Sequence, residues 1–169
     1  MEKKTTEKQK VSVKKQQWKP GNMLYPLPAV LVSLGREGEK PNLITVAWMG
    51  TVCTNPPMVY ISVRPERYSY SILKETKTFV INLTTEKLLK AADYCGVRSG
   101  RDVDKFKETG LTAIPGPVTG CPMVAESPVN LECKVKEVKA LGSHDMFLAE
   151  VVAVHVSEDY MEGNGRFCL

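Results

Sequence analysis

The sequence has no apolar run approaching the roughly 20 residues that a membrane-spanning helix needs. It contains only two histidines, His144 and His155, and none of its five cysteines stands in a CxxC pair. Closely spaced Cys and His ligands are what a structural zinc site requires, so we expect no bound metal. The first 20 residues lack the apolar segment of a secretory signal, and we therefore expect reduced thiols and a cytoplasmic protein.

The familiar motifs of nucleophilic catalysis and nucleotide binding are also missing. There is no G-x-S-x-G, no phosphate-binding P-loop, and no G-x-G-x-x-G after a predicted strand. No pair of carboxylates stands out as an acid and a base, and we expect no side chain to be catalytic by itself. If the protein is an enzyme, a bound cofactor is expected to carry the reaction.

The charge of the chain is unevenly distributed. The formal net charge is +4, but residues 1–20 hold seven lysines against two glutamates, and the other 149 residues are nearly neutral. Segment 1–20 has too few apolar residues to offset the entropy of ordering, so we expect a flexible Lys-rich tail. Residues 21–169 are expected to form one domain. A neutral body does not favour nucleic-acid binding, although contact through the tail alone stays an alternative.

The hydropathy pattern after residue 20 predicts about six strands and two or three short helices. The strands are expected near residues 29–34 and at 43–53, 58–63, 78–83, 129–136 and 146–156. The helices are expected at 64–74, 85–94 and 103–109, and a Pro-rich loop is expected at 114–128. Residues 58–63 form a continuous apolar run, which indicates a strand buried on both faces. Because the helices do not alternate regularly with the strands, a largely antiparallel sheet or barrel is favoured.

One local arrangement points to a bound phosphate. The strand Met58–Val63 runs directly into the predicted start of a helix, where free backbone N–H groups can bind an anion. Arg64 and Arg67 add positive charge there, and Ser69 and Ser71 add hydroxyl donors. The alternative is a solvated, arginine-bearing loop with ordinary helix caps.

Five motifs follow one another in a fixed order along the chain. They are NLITVAWMGTVCTNPP from Asn42, ISVRPERYS from Ile61, FVINL from Phe79, SGRDVDKF from Ser99 and GSHDMFLAEV from Gly142. This order resembles the flavin reductase-like family, especially its flavoredoxin branch, over roughly residues 23–156. The resemblance implies a mainly β, FMN-binding split β-barrel, largely antiparallel and Greek-key-like, with two or three short helices. It also implies a homodimer with the flavin near the subunit interface.

The same resemblance implies a set of flavin-binding residues. The residues expected to line the isoalloxazine ring are Asn42, Thr45, Val46, Ala47 and Trp48. Those expected at the ribityl chain or the ring edge are Ser62, Val63 and Arg64, and those expected at the phosphate are Arg67, Tyr68 and Ser69. Lys105, Phe106 and His144 match further family positions near the flavin.

Three of these residues have a plain structural alternative when they are considered without the family. Lys105 could supply a donor toward the N1/O2 side of a flavin, where negative charge grows on reduction, but by pattern alone it is a solvated helix charge. Trp48 offers a flat apolar surface, yet a tryptophan in a strand is as often a core residue. His144 could bond to the flavin or a nicotinamide, or merely cap a hairpin.

The implied reaction is hydride transfer from NAD(P)H to FMN, followed by electron transfer to an acceptor. The acceptor could be free flavin, a redox protein or a metal complex. Two alternatives stay open on the sequence. One is an FMN-binding electron carrier without an NAD(P)H site of its own, and the other is a split barrel that uses a different cofactor, such as pyridoxamine phosphate oxidase-like or haem-binding proteins.

Overall fold

The computed structural model describes residues 13–168 of the chain. These residues form nine strands and three α-helices. The strands are β1 Val30–Leu34, β2 Asn42–Val46, β3 Met49–Cys53, β4 Met58–Val63, β5 Thr78–Asn82, β6 Ala113–Pro115, β7 Pro122–Val124, β8 Val129–Ala140 and β9 Asp145–Val156. The helices are α1 Tyr68–Thr76, α2 Leu89–Val97 and α3 Lys105–Thr109.

Seven of the strands form one antiparallel sheet in the order β2-β1-β5-β8-β9-β4-β3. If this sheet were flat, its two edges would lie about 29 Å apart, because neighbouring strands are separated by roughly 4.8 Å. The edge strands β2 and β3 are nevertheless joined by Ala47 and Trp48 alone, a link that reaches roughly 11 Å. The sheet therefore curls until its two ends approach each other, and Ile44 and Val46 of β2 share one core cluster with Ile61 and Val63 of β4. This confirms the predicted antiparallel, barrel-like architecture.

The core lies on both faces of β1. Val30, Val32 and Leu34 belong to the interior cluster of the curled sheet, in which Phe79 and Phe147 are fully buried. Full burial of such a side chain stabilises the fold by roughly 1.5–3 kcal/mol. The neighbouring residue Leu31 faces the other way and belongs to a second cluster that includes residues of α2, α3 and β7. The strands next to the helices are thus buried on both sides.

Three predicted strand features are wrong. The expected strand 43–53 is two strands, because the chain turns the barrel corner at Ala47 and Trp48. The expected loop 114–128 contains the short hairpin β6–β7, whose prolines are tolerated because Pro115 and Pro122 face each other at its end. Strand β4 is not buried on both faces but alternates between half-buried and buried residues.

The helices are confirmed with shifted starts. Helix α1 begins at Tyr68 rather than Arg64, because residues 64–67 form a turn closed by a hydrogen bond from the Arg67 amide to the Arg64 carbonyl. Helix α2 follows a 3₁₀ turn at Glu86–Leu88, in which Leu88 is buried, whereas Leu89 at the start of the helix is 65% exposed. Helix α3 ends at Gly110, whose φ of 70° is a left-handed conformation that favours glycine.

The arm that precedes β1 is extended and exposed. Residues 1–12 of the predicted tail lie outside the described residues, and residues 13–29 have no regular secondary structure. Trp18, Met23, Leu24 and Tyr25 in this arm are each between 68% and 74% exposed. The homodimer implied by the resemblance stays a prediction. Within residues 13–168, no helix is both long and apolar enough to span a membrane.

All five cysteines are unpaired. Burial raises the pKa of the Cys95 thiol to about 11 and the pKa values of Cys121 and Cys133 to about 12. These three thiols are therefore protonated and unreactive near neutral pH. Cys53 lies half-buried at the end of β3, and Cys168 is exposed.

A buried carboxylate fastens a loop to the sheet. Glu132 on β8 is fully buried and accepts hydrogen bonds from the Thr119 amide at 2.7 Å and the Thr119 hydroxyl at 2.6 Å. The His155 Nε2 atom lies 2.7 Å from the same carboxylate, which gives this histidine a structural partner that the sequence did not reveal. Burial alone would raise the pKa of Glu132, but the hydrogen bonds from Thr119 and His155 outweigh it and hold the pKa below its ordinary value.

We expect Glu132→Gln to lower the free energy of unfolding by about 2 kcal/mol at neutral pH. The neutral side-chain amide of glutamine accepts weaker hydrogen bonds from Thr119 than the carboxylate of Glu132 does. The pKa of Glu132 is lower in the folded state than the ordinary value of 4.5. Its stabilising contribution is therefore complete above that value and is lost as the pH falls through the folded-state pKa, so the difference between the two proteins should shrink as the pH falls below 4.5.

Urea denaturation at neutral and acidic pH measures this difference. The matched control is Glu137→Gln, an exposed substitution on the same strand, which should change stability by less than about 0.5 kcal/mol. Equal effects of the two substitutions at neutral pH would contradict the role given to Glu132.

Candidate functional site

Two adjoining clefts lie where β2, β4 and α1 meet. The first, the corner cleft, has a volume of about 250 Å³ and is lined by Ile44, Thr45, Val46, Ala47, Trp48, Ser62, Val63, Arg64, Arg67 and His144. The second, the cationic cleft, has a volume of about 150 Å³ and is lined by Ile44, Glu66, Arg67, Tyr68, Ser69, Cys95, Gly96, Arg98, Ser99, Gly100, Arg101 and Lys105. Ile44 and Arg67 line both clefts, so the two spaces meet along these residues.

The corner cleft combines strand backbone with an aromatic wall. The Trp48 indole is 43% exposed and stacks on the His144 ring, with a centroid separation of 4.3 Å and an interplanar angle of 13°. Burial and the nearby Arg64 guanidinium lower the pKa of His144 below its ordinary value of 6.5. The imidazole is therefore neutral at neutral pH, and it can donate or accept a hydrogen bond.

The turn that holds His144 is anchored to α1. Asp145, the next residue, is buried at the start of β9 and accepts a hydrogen bond of 2.6 Å from the Tyr70 hydroxyl. This bond raises the pKa of Tyr70, so the phenol stays protonated. The Tyr70 ring also packs edge-on against the buried Phe147. His144 is thus positioned by a fixed hairpin end.

Strand β2 supplies unpaired backbone groups to the corner cleft. It is an edge strand of the main sheet and forms its ladder with β1 alone. The amides and carbonyls on its outer side consequently have no partner within the sheet. Because the backbone can both donate and accept, this edge can bind a planar heterocycle that carries alternating donors and acceptors.

The cationic cleft surrounds the start of α1. Arg67 is the N-cap residue, no side chain caps the helix, and the first turn carries no acidic residue. The first N–H groups of an uncapped helix lack intrahelical partners, and they carry partial positive charge. Arg67, Arg98, Arg101 and Lys105 line the cleft together with a single carboxylate, that of Glu66. The cleft is therefore suited to an anion.

Lys105 is a structural cation at the base of this cleft. Its side chain is 3% exposed, and its Nζ atom donates to the Leu43 carbonyl at 2.7 Å and the Cys95 carbonyl at 2.8 Å. These bonds fasten β2 to the end of α2. Burial and the nearby Arg67 lower the pKa of Lys105. An ammonium has three donors, so one remains for a ligand in the cleft.

Most of the predicted site residues line one of the two clefts. The corner cleft holds Thr45, Val46, Ala47, Trp48, Ser62, Val63, Arg64 and His144, and the cationic cleft holds Tyr68, Ser69 and Lys105, with Arg67 at the junction. Asn42 lies at the cationic end, because its Nδ2 atom donates to the buried Ser69 hydroxyl at 2.9 Å. Phe106 is buried in the second core cluster and lines neither cleft.

The segment between α2 and α3 contributes residues that the sequence analysis did not assign. Arg98, Gly100 and Arg101 line the cationic cleft, and two of them belong to the SGRDVDKF motif that carried the resemblance. At position 100 only glycine fits, because a Cβ atom would lie 2.7 Å from Cδ1 of Tyr68. The close approach of this segment to Tyr68 forms the outer wall of the cleft.

The chain forms a curled antiparallel half-barrel. It has a cleft at the corner between its edge strands and, beside it, a helix start suited to an anion. Together these features define the split-barrel class of flavoprotein folds. Comparison with known proteins agrees with this class. The flavin reductase like domain matches residues 22–168. The chain belongs to the flavin reductase-like family.

Solved structures of this fold superpose closely on the chain. The flavoredoxin of Desulfovibrio vulgaris is 30% identical, with a TM-score of 0.82 over 91% of this chain and 82% of its own. An FMN-binding protein from Thermus thermophilus, solved with bound 1-cyclohex-2-enone, is 27% identical, with a TM-score of 0.77 over 94% and 86% of the two chains.

Curated relatives extend the comparison to bacteria and archaea. A protein of Aeropyrum pernix is 34% identical over 142 residues, which cover 83% of this chain and 54% of that protein. The chain thus spans about half the length of this archaeal relative. The NADH-dependent FAD reductase of Streptomyces globisporus is 26% identical over 147 residues, which cover 85% of this chain and 79% of its own.

We expect Lys105→Met to lower the free energy of unfolding by about 2–3 kcal/mol, because two charge-assisted hydrogen bonds to backbone carbonyls are lost. Denaturant titration measures the change. Lys107→Met is the matched control, since Lys107 is exposed on the same helix and should contribute little. If the two variants are equally stable, Lys105 does not fasten β2 to α2.

Proposed function

We propose that the protein is an FMN-binding oxidoreductase that takes a hydride from NAD(P)H and passes the electrons to free flavin, a redox protein or a metal complex. The observation that carries this proposal is the junction of the corner cleft with the cationic cleft at Ile44 and Arg67. A planar ring joined to a phosphate by a short chain needs two such spaces side by side. Membership of the flavin reductase-like family supports the same assignment.

The donor set fits the phosphate of FMN. Arg67 and Ser69 lie at the start of α1, and Lys105 and Arg98 line the same cleft. Charge-assisted hydrogen bonds to a phosphate are stronger than neutral ones, and arginine can make them in pairs. Glu66 is the one carboxylate of this cleft, so the lining carries a positive balance suited to a dianion.

The corner cleft fits the isoalloxazine ring. When bound, FMN supplies hydride acceptance and electron transfer. The unpaired edge of β2 between Thr45 and Ala47 offers backbone donors to the ring's polar side, where negative charge grows on reduction. The stacked Trp48 and His144 rings line the same cleft and offer an aromatic surface to a planar ligand. Ser62 and Arg64 line this cleft as well, and we assign them to the ribityl chain.

Two similar proteins support the two parts of this proposal, flavin binding and reduction by a nicotinamide nucleotide. The Thermus thermophilus protein is an FMN-binding protein, and the Streptomyces globisporus protein is an NADH-dependent FAD reductase. We propose that this chain likewise accepts electrons from a reduced nicotinamide nucleotide. No side chain is given a catalytic role, because hydride transfer between two bound rings requires positioning rather than a protein nucleophile.

Arg67→Ala tests the phosphate assignment. We expect the Kd for FMN to rise about tenfold, because one charge-assisted contact to a phosphate is lost. Riboflavin has no phosphate, so its affinity should stay within about twofold of the wild-type value. Fluorescence titration with both flavins measures the two effects. Arg36→Ala, a change outside both clefts, is the control and should alter neither affinity. Equal weakening of FMN and riboflavin binding by Arg67→Ala would reject the assignment.

Rapid anaerobic mixing of the FMN-loaded protein with NADH or NADPH tests the reaction. We expect the visible flavin absorbance to bleach with at least one of the two nucleotides, because the proposed reaction begins with hydride transfer to the flavin. Tight FMN binding without bleaching would instead support an electron carrier that a partner protein reduces. A protein that takes up no added FMN would refute flavin binding altogether.

A further inference from the structure

Two buried polar side chains lie beside the start of α1. Asn42 is the first residue of β2 and is 4% exposed, and Ser69 is the second residue of α1 and is 2% exposed. The Nδ2 atom of Asn42 donates a hydrogen bond of 2.9 Å to the Ser69 hydroxyl. Ser69 lines the cationic cleft, whereas Asn42 lines neither that cleft nor the corner cleft. Asn42 therefore acts on the cleft through Ser69 rather than by direct contact.

This hydrogen bond leaves the hydrogen of the Ser69 hydroxyl free. A hydroxyl has one hydrogen to donate, and the bond from Asn42 uses a lone pair of the oxygen. Hydroxyls within a helix often donate to the carbonyl four residues earlier, as Thr76 does to Ile72 at 2.9 Å. The residue four positions before Ser69 is Pro65, which precedes the helix. Among residues 13–168, the Ser69 hydroxyl donates to no protein group.

Donation from Asn42 limits where the free hydrogen can point. Because Nδ2 approaches one side of the Ser69 oxygen, the hydroxyl hydrogen is directed away from Asn42, and the cationic cleft is the open space that Ser69 lines. A hydroxyl that accepts a hydrogen bond is also a stronger donor, since linked hydrogen bonds polarise one another. Beside Arg67 and the free amides of the helix start, the hydroxyl is thus an oriented donor for an anion.

Gly100 holds the Asn42 amide in this orientation. A Cβ atom on residue 100 would lie 2.8 Å from Cγ of Asn42, and Oδ1 is the Asn42 atom nearest to that position. The oxygen side of the amide thus packs against the Gly100 backbone, and the nitrogen side faces Ser69. Segment 98–101 therefore contributes to the anion site in two ways, through its arginines and through this packing.

We propose that Asn42 is a positioning residue that orients the Ser69 hydroxyl toward the phosphate of a bound flavin and so favours phosphorylated flavin over riboflavin. This inference rests on the proposed flavin binding and adds the means by which the site selects for the phosphate. It also assigns Asn42 to the phosphate end of the site instead of to the isoalloxazine ring, where the resemblance placed it. Because Asn42 acts through Ser69, its contribution disappears when the Ser69 hydroxyl is removed.

The test is a double-mutant cycle on the full chain, with fluorescence titration of FMN and of riboflavin. We expect Ser69→Ala to raise the Kd for FMN about tenfold, because a charge-assisted hydrogen bond is lost. Asn42→Ala should raise this Kd about three- to fivefold, and the double variant should match Ser69→Ala within about twofold, because residues that act as one unit are not additive. The Kd for riboflavin should stay within about twofold of the wild-type value in all three variants.

Asn42→Asp is an isosteric second variant, which protects the test against misfolding of Asn42→Ala. Its carboxylate only accepts hydrogen bonds, so it draws the Ser69 hydrogen away from the cleft. It should weaken FMN binding at least as much as Ser69→Ala does, with riboflavin still bound. Ser71→Ala is the matched control, because Ser71 is exposed on the same helix and lines neither cleft. It should change neither Kd.

The inference is overturned if Asn42→Ala weakens FMN binding by the same factor with and without the Ser69 hydroxyl, or if it weakens FMN and riboflavin binding equally. It is also overturned if both Asn42 variants bind FMN as the wild-type protein does. Each of these results leaves flavin binding itself intact. Absence of binding of either flavin to the wild-type protein would instead overturn the proposed function, and this inference with it.

Discussion

The two-residue link between β2 and β3 is the constraint on which the site depends. Because Ala47 and Trp48 must join the two edges of a seven-stranded sheet, the sheet curls until β2 approaches β4. Closure places the open side of β2 beside the end of β4, and only four residues separate β4 from the start of α1 at Tyr68. A cleft with free backbone groups and a helix start with free N–H groups are thus neighbours by topology, before any particular side chain is considered.

Buried charged side chains then hold the elements around the two clefts in fixed positions. Lys105 fastens β2 to α2, Asp145 fastens the end of the long hairpin to α1, and Glu132 fastens the loop before β7 to β8. A charge that is buried without partners costs several kcal/mol, so each of these groups specifies one arrangement of its surroundings. Among residues 13–168, no buried side-chain nitrogen or oxygen lacks a hydrogen-bond partner. The surroundings of the two clefts are therefore preorganised, which reduces the free-energy cost of ordering them around a ligand.

The sequence predicts the elements whose signal is local and fails where the cause is distant. Strands β8 and β9 and the end of α3 at Gly110 follow from alternation and turn chemistry within a few residues. The break at Ala47 has no local signal, because the residues on both sides favour a strand and only closure of the sheet divides them. The burial of Lys105 was equally hidden, since its partner at Leu43 lies 62 residues away. The order of the family's motifs pointed to residues that the structure brings to the two clefts, but it did not show that Phe106 belongs to the core.

Two separate stretches of chain encode two separate properties of the site. The corner formed by β2 and β4 presents strand backbone and the stacked Trp48–His144 pair, which suit a planar ring. The short segment 98–101 supplies two of the four cationic side chains that line the cationic cleft, those of Arg98 and Arg101. The net charge of the domain is close to zero, so this local concentration of cations, and not the overall balance, favours an anion at the start of α1. Substitutions in segment 98–101 are therefore expected to act on anion binding without disturbing the corner, because the corner is held by the curl of the sheet.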